Sequence, residues 1–204
     1  MYSIGLTGSI GAGKSTAAQY LEHRGYPVID ADRLGHEAYL PNTPCYQQVV
    51  NVFGDKVVTE DGAIDRTALG NIVFADLTQL QRLNEIVWPV IKQLAIVRLQ
   101  QVSDVQGCRV VFFEAAVLVE AEWNNIVDEV WTILADTANV VQRVMVRDNT
   151  TKLRLQKRLE AQISIDERVR RSNVVINNDA SIEELYRAID QQLISLRHRI
   201  EGGD

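Results

Sequence analysis

The chain has 204 residues, of which 46% are hydrophobic and 24% charged, and a formal net charge of −6. That length suits one α/β domain with a modest insertion, and the net acidity argues against a general nucleic-acid binder. No apolar run approaches the ~20 residues of a membrane-spanning helix, and the amino terminus has no basic n-region or long apolar h-region, so neither a membrane span nor a signal peptide is expected.

The first strand-like run is Ser3–Thr7. It leads directly into Gly8-Ser9-Ile10-Gly11-Ala12-Gly13-Lys14-Ser15, which matches G-x-x-x-x-G-K-[ST]. In this motif, glycines let backbone N–H groups turn inward around phosphate oxygens without Cβ clashes. The positive end of the helix that follows, read as Lys14–Arg24, adds to the field. Lys14 is expected at the β- and γ-phosphates of ATP, the Ser15 hydroxyl on Mg²⁺, and the Thr16 hydroxyl near the α-phosphate. A random chain of this length meets the pattern on the order of 1% of the time. The strand before it and the helix after it are also what the motif requires.

A second strand, Pro27–Ile29, runs into Asp30-Ala31-Asp32. Ligands bind at the carboxyl edge of a parallel sheet, and strand alternation would project Asp30 and Asp32 to one side. A carboxylate there can take the proton of an attacking hydroxyl or hold a magnesium-bound water. The plain alternative is that one of the pair caps the next helix. Asp32-Arg33-Leu34-Gly35 formally matches the D-x-x-G of GTPases, but the base-reading N/T-K-x-D is missing and the match reads as coincidence.

Residues 35–105 are too many for one crossover. They read as several helices, with Thr78–Gln101 the longest segment and breaks at Pro41–Pro44, Asp61-Gly62 and Trp88-Pro89. Asp65 is expected to cap a helix beginning at Arg66. Further strands follow at Arg109–Phe113, Glu129–Leu134 and Asn173–Ile176, with helices at Ala138–Arg147 and Ser181–Arg199. Residues 143–171 carry nine basic side chains against four acidic ones, which fits either a site for a small polyanion or a solvated helix face. Trp123 and Trp131 read as packing.

Alternating strands and helices predict an α/β, three-layer P-loop fold. It has a five-stranded parallel sheet covered on both faces and an inserted helical region, a place for the second substrate. The expected division is a core of 1–34 and 106–204 and an inserted region of 35–105. Cys45 and Cys108 make no disulfide framework and no zinc site, which suits a reducing, cytoplasmic setting. These residues alone leave two readings open, a small-molecule kinase and a non-enzymatic nucleotide-binding module.

The ordered set of motifs resembles the dephospho-coenzyme A kinase family, and especially the domain found in the bifunctional coenzyme A synthases of animals. The stretches that carry the resemblance are Gly5-Leu6-Thr7-Gly8 through Ser15, Ile29-Asp30-Ala31-Asp32, Leu34-Gly35-His36, and Gly62-Ala63-Ile64-Asp65-Arg66. They continue with Ile86-Val87-Trp88-Pro89-Val90-Ile91, Ala115-Ala116 with Leu118 and Glu120, Glu129-Val130-Trp131-Thr132, Arg147-Asp148, Arg158-Leu159 with Gln162, and Ser172-Asn173-Val174-Val175. The resemblance implies transfer of the γ-phosphate of ATP to the ribose 3′-hydroxyl of dephospho-coenzyme A. It puts Asp32 in the place of the family's base and Gly8 and Gly11 to Thr16 around the ATP phosphates. The inserted helices would hold the acceptor, with His36 and Arg66 as candidate contacts, and the basic segment would supply a lid at 148–163, with Arg147 and Arg158 touching ATP. The remaining lid basic residues are expected mostly at the surface. Glu114, where bacterial members usually carry Asp, is expected either to steady a magnesium-bound water or to be a structural carboxylate. His36 stands where those members carry Arg, and Trp88 replaces the His of a His-Pro pair. Met1 lies directly before the first strand, which favours a stand-alone enzyme.

Overall fold

A computed structural model describes residues 1–105, 107–136, 140, 144, 145, 159 and 162–202. Its strands are β1 (Tyr2–Gly8), β2 (Val28–Asp30), β3 (Val110–Glu114), β4 (Glu129–Leu134) and β5 (Val174–Asn177). They form one sheet in the order β2-β3-β1-β4-β5. β1 pairs in parallel with both β3 and β4, and β4 with β5, while Phe112 N–H donates to Pro27 O at 2.9 Å beside β2. This is the five-stranded parallel sheet that the short β-branched runs imply.

The helices are α1 (Lys14–His23), α2 (Ala31–Ala38), α3 (Pro44–Phe53), α4 (Arg66–Val73), α5 (Leu77–Ser103), α6 (Ile165–Arg170) and α7 (Ile182–Glu201). Strand alternation divides the sheet's side chains between its two faces. Ile4, Leu6, Phe112, Trp131 and Ile133 pack with Ala17, Ala18 and Leu21 of α1 and with Leu185, Ile189, Leu193 and Leu196 of α7. Gly5 faces the other way, where a Cβ would meet Leu118 at 2.6 Å. Trp123 and Trp131 are buried, as expected of packing residues. Ser181 and Glu184 close a reciprocal capping box at the start of α7. Among the described residues no helix is long and apolar enough to cross a membrane. The helix expected at Ala138–Arg147 and the lid expected at 148–163 lie almost wholly outside the described residues.

The chain divides into two compact units. One comprises Met1–Ile29 and Leu99–Asp204, the other Asp30–Arg98. The second unit begins at α2 because that helix packs with its own neighbours. Leu34, Gly35 and Ala38 are buried, a Cβ on Gly35 would touch Ile91 of α5, and Arg98 pairs with Glu37 at 3.0 Å. The turns fall where the punctuating residues stand. Thr43 caps α3 with Pro44 at its first position, Gly62 takes φ 83°, and Asp65 caps α4 by accepting from Thr67 and Ala68 N–H.

Two local expectations need correction. The break at Trp88-Pro89 does not occur, since α5 runs unbroken from Leu77 to Ser103 with Pro89 inside it. Pro89 and Glu85 are both exposed, so the ring and the carbonyl it deprives of a partner face solvent. Val87, Ile91, Ala95 and Leu99 form a buried stripe that holds the helix on both sides of the proline. Strand alternation also fails to govern the Asp30/Asp32 pair, because β2 ends at Asp30 and α2 begins at Ala31. The formal D-x-x-G of Asp32–Gly35 therefore lies within α2 and forms no switch loop.

Candidate active site

The loop from Gly8 to Gly13 follows β1 and opens α1, as the motif requires. Gly11 and Gly13 have φ of 77° and 97°, a region that L side chains rarely enter. Gly13 sits at the N-cap of α1 with no side-chain cap. The first bond into the helix runs from Ala17 N–H to Gly13 O at 3.0 Å. The N–H groups of Gly13, Lys14, Ser15 and Thr16 thus have no acceptor among the described residues. A row of unspent donors at a helix start is the geometry in which backbone N–H groups can hold an anion.

Beside it, Glu114 at the carboxyl end of β3 gathers the two polar side chains of the motif. Lys14 Nζ lies 2.5 Å from Glu114 Oε1, and Ser15 Oγ donates to the same oxygen at 3.1 Å. Glu114 is 8% exposed, and a carboxylate at that depth needs a cation or several donors. The structure therefore brings Lys14, Ser15 and Glu114 together. The donor set of a hydroxyl and a carboxylate is all oxygen, which suits a hard divalent cation that keeps several waters. Among the described residues no group of three or more His, Cys, Asp or Glu forms a protein cage for a metal.

The carboxylates after β2 part company. Asp30 is the cap of α2, its Oδ1 accepting from Asp32 N–H at 2.8 Å, and it also faces Arg33 at 3.6 Å. Asp32 is exposed in the first turn, and among the described residues nothing engages its carboxylate. Of the two roles open to the pair, capping thus falls to Asp30. His36 lies one turn further along α2, and its Nε2 is buried without a partner among the described residues. Arg66 is exposed at the first position of α4. Arg147 and Arg158 lie outside the described residues.

Three residues around the loop make contacts that spacing did not announce, although Gln162 belongs to the stretches that carry the resemblance. Arg168 of α6, expected at the surface with its basic neighbours, is instead 1% exposed. Its NH1 donates to Thr7 Oγ1 at 3.0 Å and its NH2 to Glu120 Oε1 at 2.6 Å. Arg170 and Arg171 remain outside, paired with Glu167. Gln162 Oε1 accepts from Ile10 N–H at 3.1 Å, and Asn178 Nδ2 donates to Ala12 O at 2.8 Å. The loop partners Thr7, Ile10 and Ala12 each lie more than 150 residues away in sequence, Glu120 lies 48 away, and no local pattern told which basic residue faces inward.

The model of the dephospho-CoA kinase family matches residues 2–184. A dephospho-CoA kinase of Geobacter sulfurreducens is 44% identical over 191 residues, 94% of this chain and 96% of that protein. One from Shouchella clausii is 34% identical over 96% of this chain and 98% of its own length. Among solved structures, TT1252 from Thermus thermophilus superposes with a TM-score of 0.77 at 32% identity, covering 96% of this chain and 97% of that one. The dephospho-CoA kinase of Campylobacter jejuni (TM-score 0.70, 23% identity, 99% and 98% covered) shares the fold. A shikimate kinase from Acinetobacter baumannii (TM-score 0.55, 15% identity, 96% and 94% covered) shares it more distantly. With one family model spanning the sheet and its phosphate loop, and relatives matched along nearly their whole length, this chain belongs to the dephospho-CoA kinase family.

Proposed function

We propose that the protein transfers the γ-phosphoryl group of ATP to the ribose 3′-hydroxyl of dephospho-coenzyme A, giving coenzyme A and ADP. The observation that carries this reading is the row of unspent N–H donors from Gly13 to Thr16, with Lys14 and Ser15 converging beside it on Glu114. Such an array binds a polyphosphate before it binds anything neutral. Lys14 moves from Glu114 to the β- and γ-phosphate oxygens and offsets charge that builds during in-line transfer. Gly8 and Gly11 to Thr16 form the ATP-binding loop. Ser15 would hold Mg²⁺ directly and Glu114 through water, and the ion would supply charge that offsets the phosphate oxygens.

On the acceptor side, Asp32 takes the 3′-hydroxyl proton as the oxygen attacks phosphorus and the bond to the ADP oxygen breaks. In support, its carboxylate is uncommitted while Asp30 does the capping, and its position is that of the family's base. His36 and Arg66 belong to the acceptor site in this reading, and Arg147 and Arg158 to the ATP side. A cytoplasmic enzyme suits two unpaired cysteines, and the substrates are small molecules, with neither nucleic acid nor membrane as a partner.

The test is turnover of ATP–Mg²⁺ with dephospho-coenzyme A against a panel of nucleosides, nucleoside monophosphates and sugars. ADP should form with dephospho-coenzyme A alone. Equal turnover with another alcohol would reassign the acceptor, and none with any acceptor would make the chain a nucleotide sensor.

A further inference from the structure

We infer that Asn178 is a positioning residue for ATP, aiming the Gly13 N–H of the phosphate loop through the peptide bond that Gly13 shares with Ala12. The inference rests on the reading that this loop holds the ATP phosphates. Asn178 directly follows β5 and is 8% exposed. Its own N–H donates to Leu134 O at the end of β4 at 2.7 Å, which fixes its backbone to the sheet edge. Its Nδ2 donates to Ala12 O at 2.8 Å. A carbonyl only accepts, so the atom facing it is the amide nitrogen and the side chain's orientation is unambiguous.

The peptide between Ala12 and Gly13 is planar, and the described chain contains no cis bond. In a trans peptide the C=O and N–H point in opposite directions. Holding the Ala12 carbonyl toward Asn178 therefore turns the Gly13 N–H to the other side, as the first in the row that Lys14, Ser15 and Thr16 continue. Asn178 also occupies the space where a Gly13 side chain would begin, since a Cβ there would lie 2.2 Å from Nδ2. Without the amide, this peptide could rotate, as glycine at φ 97° offers little steric resistance. A rotated peptide would present a carbonyl oxygen to the phosphates in place of a donor.

Steady-state kinetics of Asn178→Ala and Asn178→Asp test the assignment, with ATP and dephospho-coenzyme A varied separately. Losing the donor should raise KM for ATP roughly tenfold in Asn178→Ala, the scale of one hydrogen bond set against an anion. Asn178→Asp puts a carboxylate oxygen against the Ala12 carbonyl and should raise it further, while KM for dephospho-coenzyme A stays within about twofold in both. KM counts only folded molecules, so a merely structural role would lower active enzyme and leave both KM values alone. A wild-type KM for ATP in both variants, or equal rises for both substrates, would overturn the assignment. Wild-type protein without ATP-dependent turnover would instead remove the phosphate-loop reading beneath it.

Discussion

The buried pair of Arg168 and Glu120 gives a stability prediction whose size can be worked out. Their side chains are 1% and 9% exposed and the closest N–O distance is 2.6 Å. At an effective dielectric of about 20, the Coulomb attraction at that distance is roughly 6 kcal/mol. Removing two ions from water costs several kcal/mol each, so the intact pair comes out near neutral against an apolar substitute. Breaking it from one side is different. Arg168→Met leaves Glu120 buried with only Ile163 N–H at 3.3 Å on Oε1 and with Oε2 already lacking a protein partner among the described residues. Thr7 Oγ1 keeps a long contact to Ala116 O at 3.5 Å, so its loss is secondary. The single variant should therefore lose about 3–5 kcal/mol, a large part of the 5–15 kcal/mol typical of a domain. At about 2–4 °C per kcal/mol for a chain of this size, the melting temperature should fall by roughly 6–20 °C. Thermal unfolding of wild type, Arg168→Met, Glu120→Met and the double variant measures the coupling directly. The double variant should recover most of the single loss. A single variant within about 1 kcal/mol of wild type, or losses that simply add, would refute the reasoning.

The two carboxylates after β2 should separate by assay. Asp30→Ala removes the cap of α2 and should cost about 1 kcal/mol of stability, whereas Asp32→Ala should cut kcat by roughly 10²-fold with little change in unfolding. Unchanged turnover in Asp32→Ala would take the proton-accepting role from it. Cys45, buried in α3, has its thiol pushed above the ordinary range because burial disfavours the thiolate. A raised folded value means that this contribution to stability is intact below the ordinary thiol pKa. It is lost as pH rises from there toward the folded value, because the unfolded chain ionises first. Iodoacetamide at mildly alkaline pH, followed by mass spectrometry, should label the half-exposed Cys108 well before Cys45, and equal rates would contradict the burial argument.

The features legible in the sequence are those whose cause is local. The β4 run, Glu129–Leu134, was bounded to the residue, and the cap at Asp65 followed from a short polar side chain before apolar periodicity. The break at Pro89 was misread because the rule for proline weighs one lost bond and a clash. What held α5 together was a buried stripe visible only once the partners were in place. Arg168 was grouped with Arg170 and Arg171 for the same reason. A run of basic residues does not say which one points inward, and the answer lay at Thr7, 161 residues earlier. At the site, Lys14 and Ser15 were legible from spacing alone, and Glu114 from its place at the end of β3. The contacts of Gln162, itself one of the motif residues, and of Asn178 were not, since their partners are backbone atoms of the loop and backbone atoms carry no sequence signature.

The glycines of the loop are therefore determined from two directions. In the proposed reading, Gly11 and Gly13 answer to the phosphate, which needs backbone donors close and unobstructed. In the folded chain they also answer to what lies behind the loop. A Cβ on Gly11 would come within 2.4 Å of Val144 and 2.8 Å of Val140, and one on Gly13 within 2.2 Å of Asn178. Ile10 N–H and Ala12 O, meanwhile, are held by Gln162 and Asn178. A loop pressed and hydrogen-bonded from behind has already lost most of its conformational freedom before any ligand arrives, and that entropy is not charged against binding. The eight-residue motif specifies which donors exist. The residues that follow β4 and β5 specify where those donors point, so a chain carrying the motif without such backing would have the signature of the site and only part of its affinity.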